Sequence, residues 1–309
     1  MLYRLIKIWL QIALKFYLKN LNSQGTSIKE ISTPAILAVN HSNSFLDALL
    51  VTAHYPKEIH FLARGDAFNK KWASWILKNL LNIIPIHRLE EGREYLSKNT
   101  ESFQEVMEVF KRGGTVLIFP EGICKNEHNI RPLRKGTARM AYQAWHKHGI
   151  KDLTVQAITL RYASFTKTPK DVTMHLAQPV NIRDFDIQRE AVFYNEFNRV
   201  VKKKLEVENL NNFPIQSQAV FIKILLALPS FLGYLIHRPY YIFIKKLVSK
   251  KTKGTVFYDS VLFGLLMLTY PFFVLLITVI VFLISQNMLA WGLLILLPLL
   301  GWCYKKFKK

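Results

Sequence analysis

Acidic residues are scarce in this chain, 21 Asp and Glu against 42 Lys and Arg in 309 residues, which leaves a formal charge of +21. So basic a chain raises the question of nucleic acid. It shows no zinc-finger spacing, no aromatic RNA-binding signature and no long basic helix, so nucleic acid is not an expected partner. The two cysteines, Cys124 and Cys303, are too few for a disulfide framework and suit a reducing compartment. Cys124 has no histidine at useful spacing and reads as an unreactive thiol. No HExxH-like or Cys/His spacing points to a metal, and His60, His87 and His175 read as strand histidines satisfied by backbone. No GxSxG elbow, Walker glycine pattern or dinucleotide fingerprint is present.

Charge is missing altogether from Val261 to Tyr304, which contains no Asp, Glu, Lys or Arg. Ser285-Gln286-Asn287 divides this stretch into two apolar segments, each close to the roughly 20 residues needed to cross a bilayer. Residues 261–304 therefore read as a transmembrane helical hairpin. Lys245, Lys246, Lys250, Lys251 and Lys253 precede it, and Lys305, Lys306, Lys308 and Lys309 follow it, the positive-inside pattern for two spans with both ends cytoplasmic. Such lysines also attract anionic lipid headgroups. Residues 1–21 carry Arg4, Lys7, Gln11, Lys15 and Lys19 at steps of three and four on an otherwise apolar body, which reads as an amphipathic helix at the membrane interface, with packing on the catalytic domain as the other reading. Residues 219–236 are apolar but hold Lys223, Pro229 and Gly233. A crossing there would spoil the positive-inside pattern, so a re-entrant or interfacial helix is expected.

Between these parts, residues 30–210 have room for one catalytic domain. Short β-rich runs at 35–39, 59–63, 82–86, 115–119, 154–161 and 172–176 alternate with helical stretches, of which 90–112 and 195–207 are the clearest, and residues 22–33 read as a linker. Strand alternating with helix means an α/β domain. In such sheets ligands bind beyond the carboxyl ends of the strands. Asn40-His41 follows the run Ala35 to Val39 with Asp47 close behind, and Pro120-Glu121-Gly122 follows Thr115 to Phe119, so the two strand ends should share one cleft. A six-residue step in a helix turns about 600°, so His41 and Asp47 meet only if His41 precedes the helix, with Ser44 as its N-cap.

Asn40-His41 with a following Asp, Arg88 closing Asn82 to Arg88, Phe119-Pro120-Glu121-Gly122 and a strand near Val155 occur in an order that resembles the phospholipid/glycerol acyltransferase family over roughly residues 34–180. The resemblance implies a membrane-bound O-acyltransferase that moves a fatty acyl group from a thioester, acyl-CoA or acyl carrier protein, to 1-acyl-sn-glycerol-3-phosphate, giving phosphatidic acid. His41 would be the general base and Asp47 its orienting partner. Arg88 would hold the acceptor phosphate, Glu121 and Gly122 would position the glycerol, and Arg64, Lys125 and Lys135 are further candidate cations. No cofactor beyond the acyl donor is implied. The sequence departs from the family pattern in several places. Five residues rather than four separate His41 from Asp47, as in the fungal type of glycerol-3-phosphate and dihydroxyacetone-phosphate acyltransferases. Asn82 and Pro85 stand for Gly and Phe, Ile123-Cys124-Lys125 for Thr-Arg-Ser, and Gln156 for a proline. Glycerol-3-phosphate is thus the rival acceptor, and a non-catalytic lipid-binding membrane protein the rival of another class. The domain is expected on the cytoplasmic face.

Overall fold

The computed structural model describes residues 2–86, 95–207, 213 and 220–308. Its centre is β2 (Ala35–Val39), whose five residues are all fully buried, the mark of a strand covered on both faces. Successive side chains along it alternate between two cores. Ala35, Leu37 and Val39 belong to one apolar cluster, Ile36 and Ala38 to the other.

In chain order the elements are α1 (Leu2–Tyr17), β1 (Leu18–Gly25), β2, α2 (Phe45–His54), β3 (His60–Arg64), α3 (Lys71–Asn79), β4 (Ile83–Ile86), α4 (Tyr95–Lys111), β5 (Thr115–Ile118), α5 (Lys135–Tyr142), β6 (Thr154–Tyr162), β7 (Lys170–Leu176), α6 (Glu190–Leu205), α7 (Val220–Thr252), α8 (Tyr258–Ser285) and α9 (Leu293–Phe307). The seven strands form one sheet in the order β1-β7-β6-β2-β5-β3-β4. Every neighbouring pair is parallel except β6 with β7. The α/β expectation holds, and every strand run foreseen from the sequence is a strand within two residues of its expected bounds.

Residues 22–33 are a linker only in part. Residues 18–25 form β1, which pairs in parallel with β7 from Leu18↔Lys170 to Gly25↔Leu176. As an edge strand it has a partner on one side only, so it can be as polar as Lys-Asn-Leu-Asn-Ser-Gln and carry little of the usual apolar signal.

In α1, Leu10, Leu14 and Tyr17 are buried while Leu2, Leu5, Ile8 and Ile12 stay exposed. Its polar stripe turns partly inward. Gln11 Nε2 donates to the Ala53 carbonyl at 2.7 Å and Lys7 to that of Tyr55, satisfying acceptors that the end of α2 leaves open. The helix therefore docks on the domain and also presents an apolar face outward.

Among the described residues three helices, rather than the two of the expected hairpin, are long and apolar enough to cross a membrane: Phe221–Thr252, Tyr258–Ser285 and Met288–Phe307. The expected segment 219–236 is not a separate element over its described part, since residues 220–236 run unbroken into the rest of the 33-residue α7. Helix α7 meets α9 closely at Gly233, where a Cβ would lie 2.2 Å from the Leu300 carbonyl oxygen, so only glycine fits. Further along α7, Ile244 and Val248 join the core of the α/β domain. Helix α8 begins inside the domain, with Asp259, Ser260, Leu262 and Phe263 buried, and roughly 20 apolar residues continue beyond it.

Candidate active site

Strand β2 ends at Val39 and delivers Asn40 and His41 into a tight turn. Asn40 pins the strand end to β6 through both ends of its amide: Nδ2 donates to the Leu160 carbonyl at 3.1 Å, and Oδ1 accepts from the Leu160 N–H at 2.6 Å. His41 precedes α2, as its pairing with Asp47 requires, and the ring Nδ1 lies 3.0 Å from Asp47 Oδ2. Ser44 is the N-cap residue of α2 but not through its hydroxyl. Its carbonyl accepts from the Asp47 N–H at 3.2 Å, and its side chain makes no cap bond.

The carboxylate of Asp47 is fully buried and takes three donors. Besides His41, the Asn43 N–H donates to Oδ2 at 2.8 Å and the Tyr162 hydroxyl to Oδ1 at 2.7 Å. Burial first, then the Asp47 charge, pushes the Tyr162 phenol well above its ordinary range, so it stays a donor. A carboxylate can only accept, so Nδ1 of His41 carries a proton and Nε2 is left as the basic nitrogen. The imidazole lies flat on Phe119, centroid to centroid 3.8 Å at 11°, and its side chain keeps 18% exposure, enough for a hydroxyl to reach it.

β5 lies beside β2, so its own carboxyl end opens onto the same cleft. Glu121 is 5% exposed, and each oxygen accepts a backbone N–H, Oε1 from His41 at 2.8 Å and Oε2 from Arg131 at 3.0 Å. Its carboxylate thus fastens the His41 turn to the loop after β5, a job within the protein. The Lys125 N–H adds a bond to the His41 carbonyl at 3.2 Å. Gly122 has φ +68°, and a Cβ there would stand 3.0 Å from Arg134 Cγ, so the turn needs glycine.

Cys124 Sγ accepts the Ser44 N–H at 3.0 Å, and burial pushes the thiol up to about 12. Thiolate is the reactive form, and at pH 7–8 the group holds on the order of a thousandth of what a thiol at 9.0 would. Iodoacetamide should therefore label Cys124 very slowly in the folded protein, the rate rising about tenfold per pH unit toward pH 12. Peptide mass spectrometry against a denatured control measures this; rapid labelling at pH 8 would contradict it.

The cations are less tightly gathered. Arg64 ends β3, two strands from β2 at the same edge of the sheet, and pairs with Asp66 at 2.6 Å with both side chains exposed. The side chains of Lys125 and Lys135 are exposed, the latter at the start of α5. Arg88 and His87 lie outside the described residues. Two departures from the family pattern have a structural reason. Asn82 adopts φ +51°, a conformation that asparagine tolerates nearly as glycine does. Gln156 is buried in β6 and donates to the Ala177 carbonyl at 2.5 Å.

Sequence reasoning missed Tyr162, one residue past the run it assigned to β6, and a second buried group behind Asn43. The Asn43 amide donates to Asp259 Oδ2 at 2.5 Å, the Tyr17 hydroxyl to Asp259 Oδ1 at 2.5 Å, and the Lys170 ammonium sits 2.5 Å from Oδ2. The first turn of α8 is thereby tied to the turn that holds His41. A lone carboxylate just before an uncharged stretch of more than forty residues was the available signal.

Residues 19–161 match the family model described as Acyltransferase. Two chloroplastic 1-acyl-sn-glycerol-3-phosphate acyltransferases, from Arabidopsis thaliana and Brassica napus, are each 24% identical to this chain over 136 residues, 44% of its length. That stretch spans 36% of the first relative and 37% of the second, little more than a third of either. In fold, the chain is similar to the crystal structure of the 1-acyl-sn-glycerophosphate acyltransferase of Thermotoga maritima, with a TM-score of 0.51 at 17% identity over 69% of this chain and 81% of that one. The family model spans the residues that build the His41–Asp47 turn and the Glu121 loop, and over that stretch the chain is similar to acyltransferases of the phospholipid/glycerol type.

Proposed function

We propose that the protein is a membrane-bound O-acyltransferase of phospholipid synthesis that acylates 1-acyl-sn-glycerol-3-phosphate from a fatty-acyl thioester, yielding phosphatidic acid. The observation that carries this reading is His41, bound through Nδ1 to a buried carboxylate, with its side chain still 18% exposed and Nε2 free of any hydrogen-bond partner among the described residues. Nε2 takes the proton of the acceptor hydroxyl as its oxygen attacks the thioester carbonyl. The carbon–sulfur bond breaks, and the thiolate leaves and is protonated by the imidazolium. Asp47 holds the ring in the required tautomer and offsets the charge that forms on it. Thiolate leaves readily, so the residues present supply what direct transfer needs. Arg64, Lys125 and Lys135 are the described cations assigned to the acceptor phosphate, and Arg88 is a further one by resemblance; Arg binds phosphate bidentately. The donor is acyl-CoA or acyl carrier protein. The domain rests on the cytoplasmic leaflet, a placement supported by the lysines on either side of the apolar segments.

The five-residue spacing between His41 and Asp47 keeps glycerol-3-phosphate as a second acceptor to be tested. Free thiol released from acyl-CoA by detergent-solubilised protein is the readout, with lysophosphatidic acid or glycerol-3-phosphate supplied and the lipid product identified. Thiol release with lysophosphatidic acid and formation of phosphatidic acid is the expected result. Product only from glycerol-3-phosphate would move the enzyme one step earlier. Lipid binding with no thioester consumed, from either acyl-CoA or an acyl carrier protein, would favour a non-catalytic protein.

A further inference from the structure

Four lysines from four separate parts of the chain surround one cavity of about 620 Å³ away from the His41 turn. Lys19 comes from β1, Lys167 from the loop between β6 and β7, Lys245 from α7 and Lys308 from beyond α9. Thr166, Tyr241 and Tyr258 add hydroxyls to the same lining. Among the described residues, no carboxylate forms an ion pair with any of the four. Like charges brought together without a counter-charge repel one another, and an anion seated among them removes that cost. The cavity lies where the C-terminal part of α7, the start of α8 and the end of α9 meet the catalytic domain. Trp302 and Tyr304 stand nearby on α9, with Lys305 and Lys306 over Trp302 at 5.0 and 5.3 Å and Lys308 over Tyr304 at 5.3 Å. Aromatic rings and lysines at the ends of apolar helices mark the headgroup level of a bilayer. Its volume falls within the roughly 300–1,000 Å³ of ordinary ligand sites.

We propose that this cavity binds a phosphate-bearing anion, the chemistry shared by an acidic phospholipid headgroup and free phosphate, at a site separate from the catalytic one. The loop that supplies Thr166 and Lys167 is anchored at both ends to the active-site turn. Tyr162 before it donates to Asp47, and Lys170 after it pairs with Asp259, which accepts from Asn43. An anion held on this loop therefore touches an element whose two ends support His41.

The test is calorimetric titration of the full-length detergent-solubilised protein, without any thioester, by dihexanoyl-phosphatidylglycerol in one arm and inorganic phosphate in the other, with dihexanoyl-phosphatidylcholine as the zwitterionic control. Wild type is compared with Lys167→Gln/Lys245→Gln, whose replaced side chains are exposed and whose thermal unfolding should match wild type. Each lysine should contribute about fivefold in affinity, so the double variant binds about twenty-five-fold more weakly. Lysine-dependent binding of phosphatidylglycerol alone assigns the site to a lipid headgroup; lysine-dependent binding of inorganic phosphate as well assigns it to the phosphate group itself. Equal affinity of wild type and variant for both ligands, or no binding of either, overturns the proposal. None of these outcomes depends on acyl transfer, so the catalytic reading stands or falls separately.

Discussion

Replacing His41 with alanine is expected to slow acyl transfer by about 10²–10⁴-fold while leaving the fold intact, the range that a positioned general base contributes. An unassisted hydroxyl attacks poorly because its proton has nowhere to go, and among the described residues no other basic side chain bonds to the His41–Asp47 pair. The loss should fall on kcat rather than on KM for the acceptor, since the proposed role of His41 is on the reacting hydroxyl and that of the cations on the phosphate. Asp47→Asn should have an effect of the same kind. An amide in that place must either turn its NH2 toward the Nδ1 proton and the Asn43 N–H, donor against donor, or accept from them and give up the charge that stabilises the imidazolium. Thiol release under single-turnover conditions, with circular dichroism to confirm folding, measures both. Full activity in His41→Ala would remove His41 from the role of base.

The His41–Asp47 pair was legible because it is local: a buried strand, a turn and a helix start lie within thirteen residues, and each leaves its own pattern. The strands were legible for the same reason. β1 was not, because an edge strand paired with a segment about 150 residues away needs no apolar face of its own. Glu121 was found as a residue, but its hold on the backbone was not. Its two bonds reach backbone N–H groups 80 and 10 residues distant, and backbone donors leave no mark in a side-chain motif. Nor did spacing reveal the inward turn of Lys7 and Gln11, because a polar stripe looks the same whether it meets water or the open carbonyls at a helix end. The segment 219–236, with Pro229 and Gly233 inside it, was read as a re-entrant or interfacial helix of its own, whereas residues 220–236 belong to one continuous α7 that takes in both, the glycine by close packing on α9. The motif thus located the His41–Asp47 pair, and the long-range contacts that hold it in place came only with the fold.

Asp259→Asn should be the most destabilising single change outside the apolar cores. Lys170 and Asp259 are each 1% exposed in their side chains and 2.5 Å apart, and burial already pushes the Lys170 ammonium below its ordinary range despite the carboxylate beside it. Removing the carboxylate charge leaves an ammonium in a dry site with no counter-charge, a change that costs about 3–5 kcal/mol. For a domain of this size that corresponds to a fall in Tm on the order of 10 °C. Lys170→Met should cost less, because Asp259 would keep the Tyr17 hydroxyl and the Asn43 amide as donors. The double variant Asp259→Asn/Lys170→Met should regain most of what Asp259→Asn loses, since the new amide oxygen accepts from the Asn43 amide, the new NH2 donates to the Tyr17 hydroxyl, which itself donates to the residue 259 carbonyl at 3.1 Å, and no charge remains buried. Thermal unfolding of the four proteins in one detergent completes the cycle. If the losses simply add, the two residues contribute independently and the ion pair is not what fixes the start of α8 to the domain. If they cancel as expected, the same contact that seats an apolar helix also sets the position of Asn43, whose N–H reaches the carboxylate that orients His41.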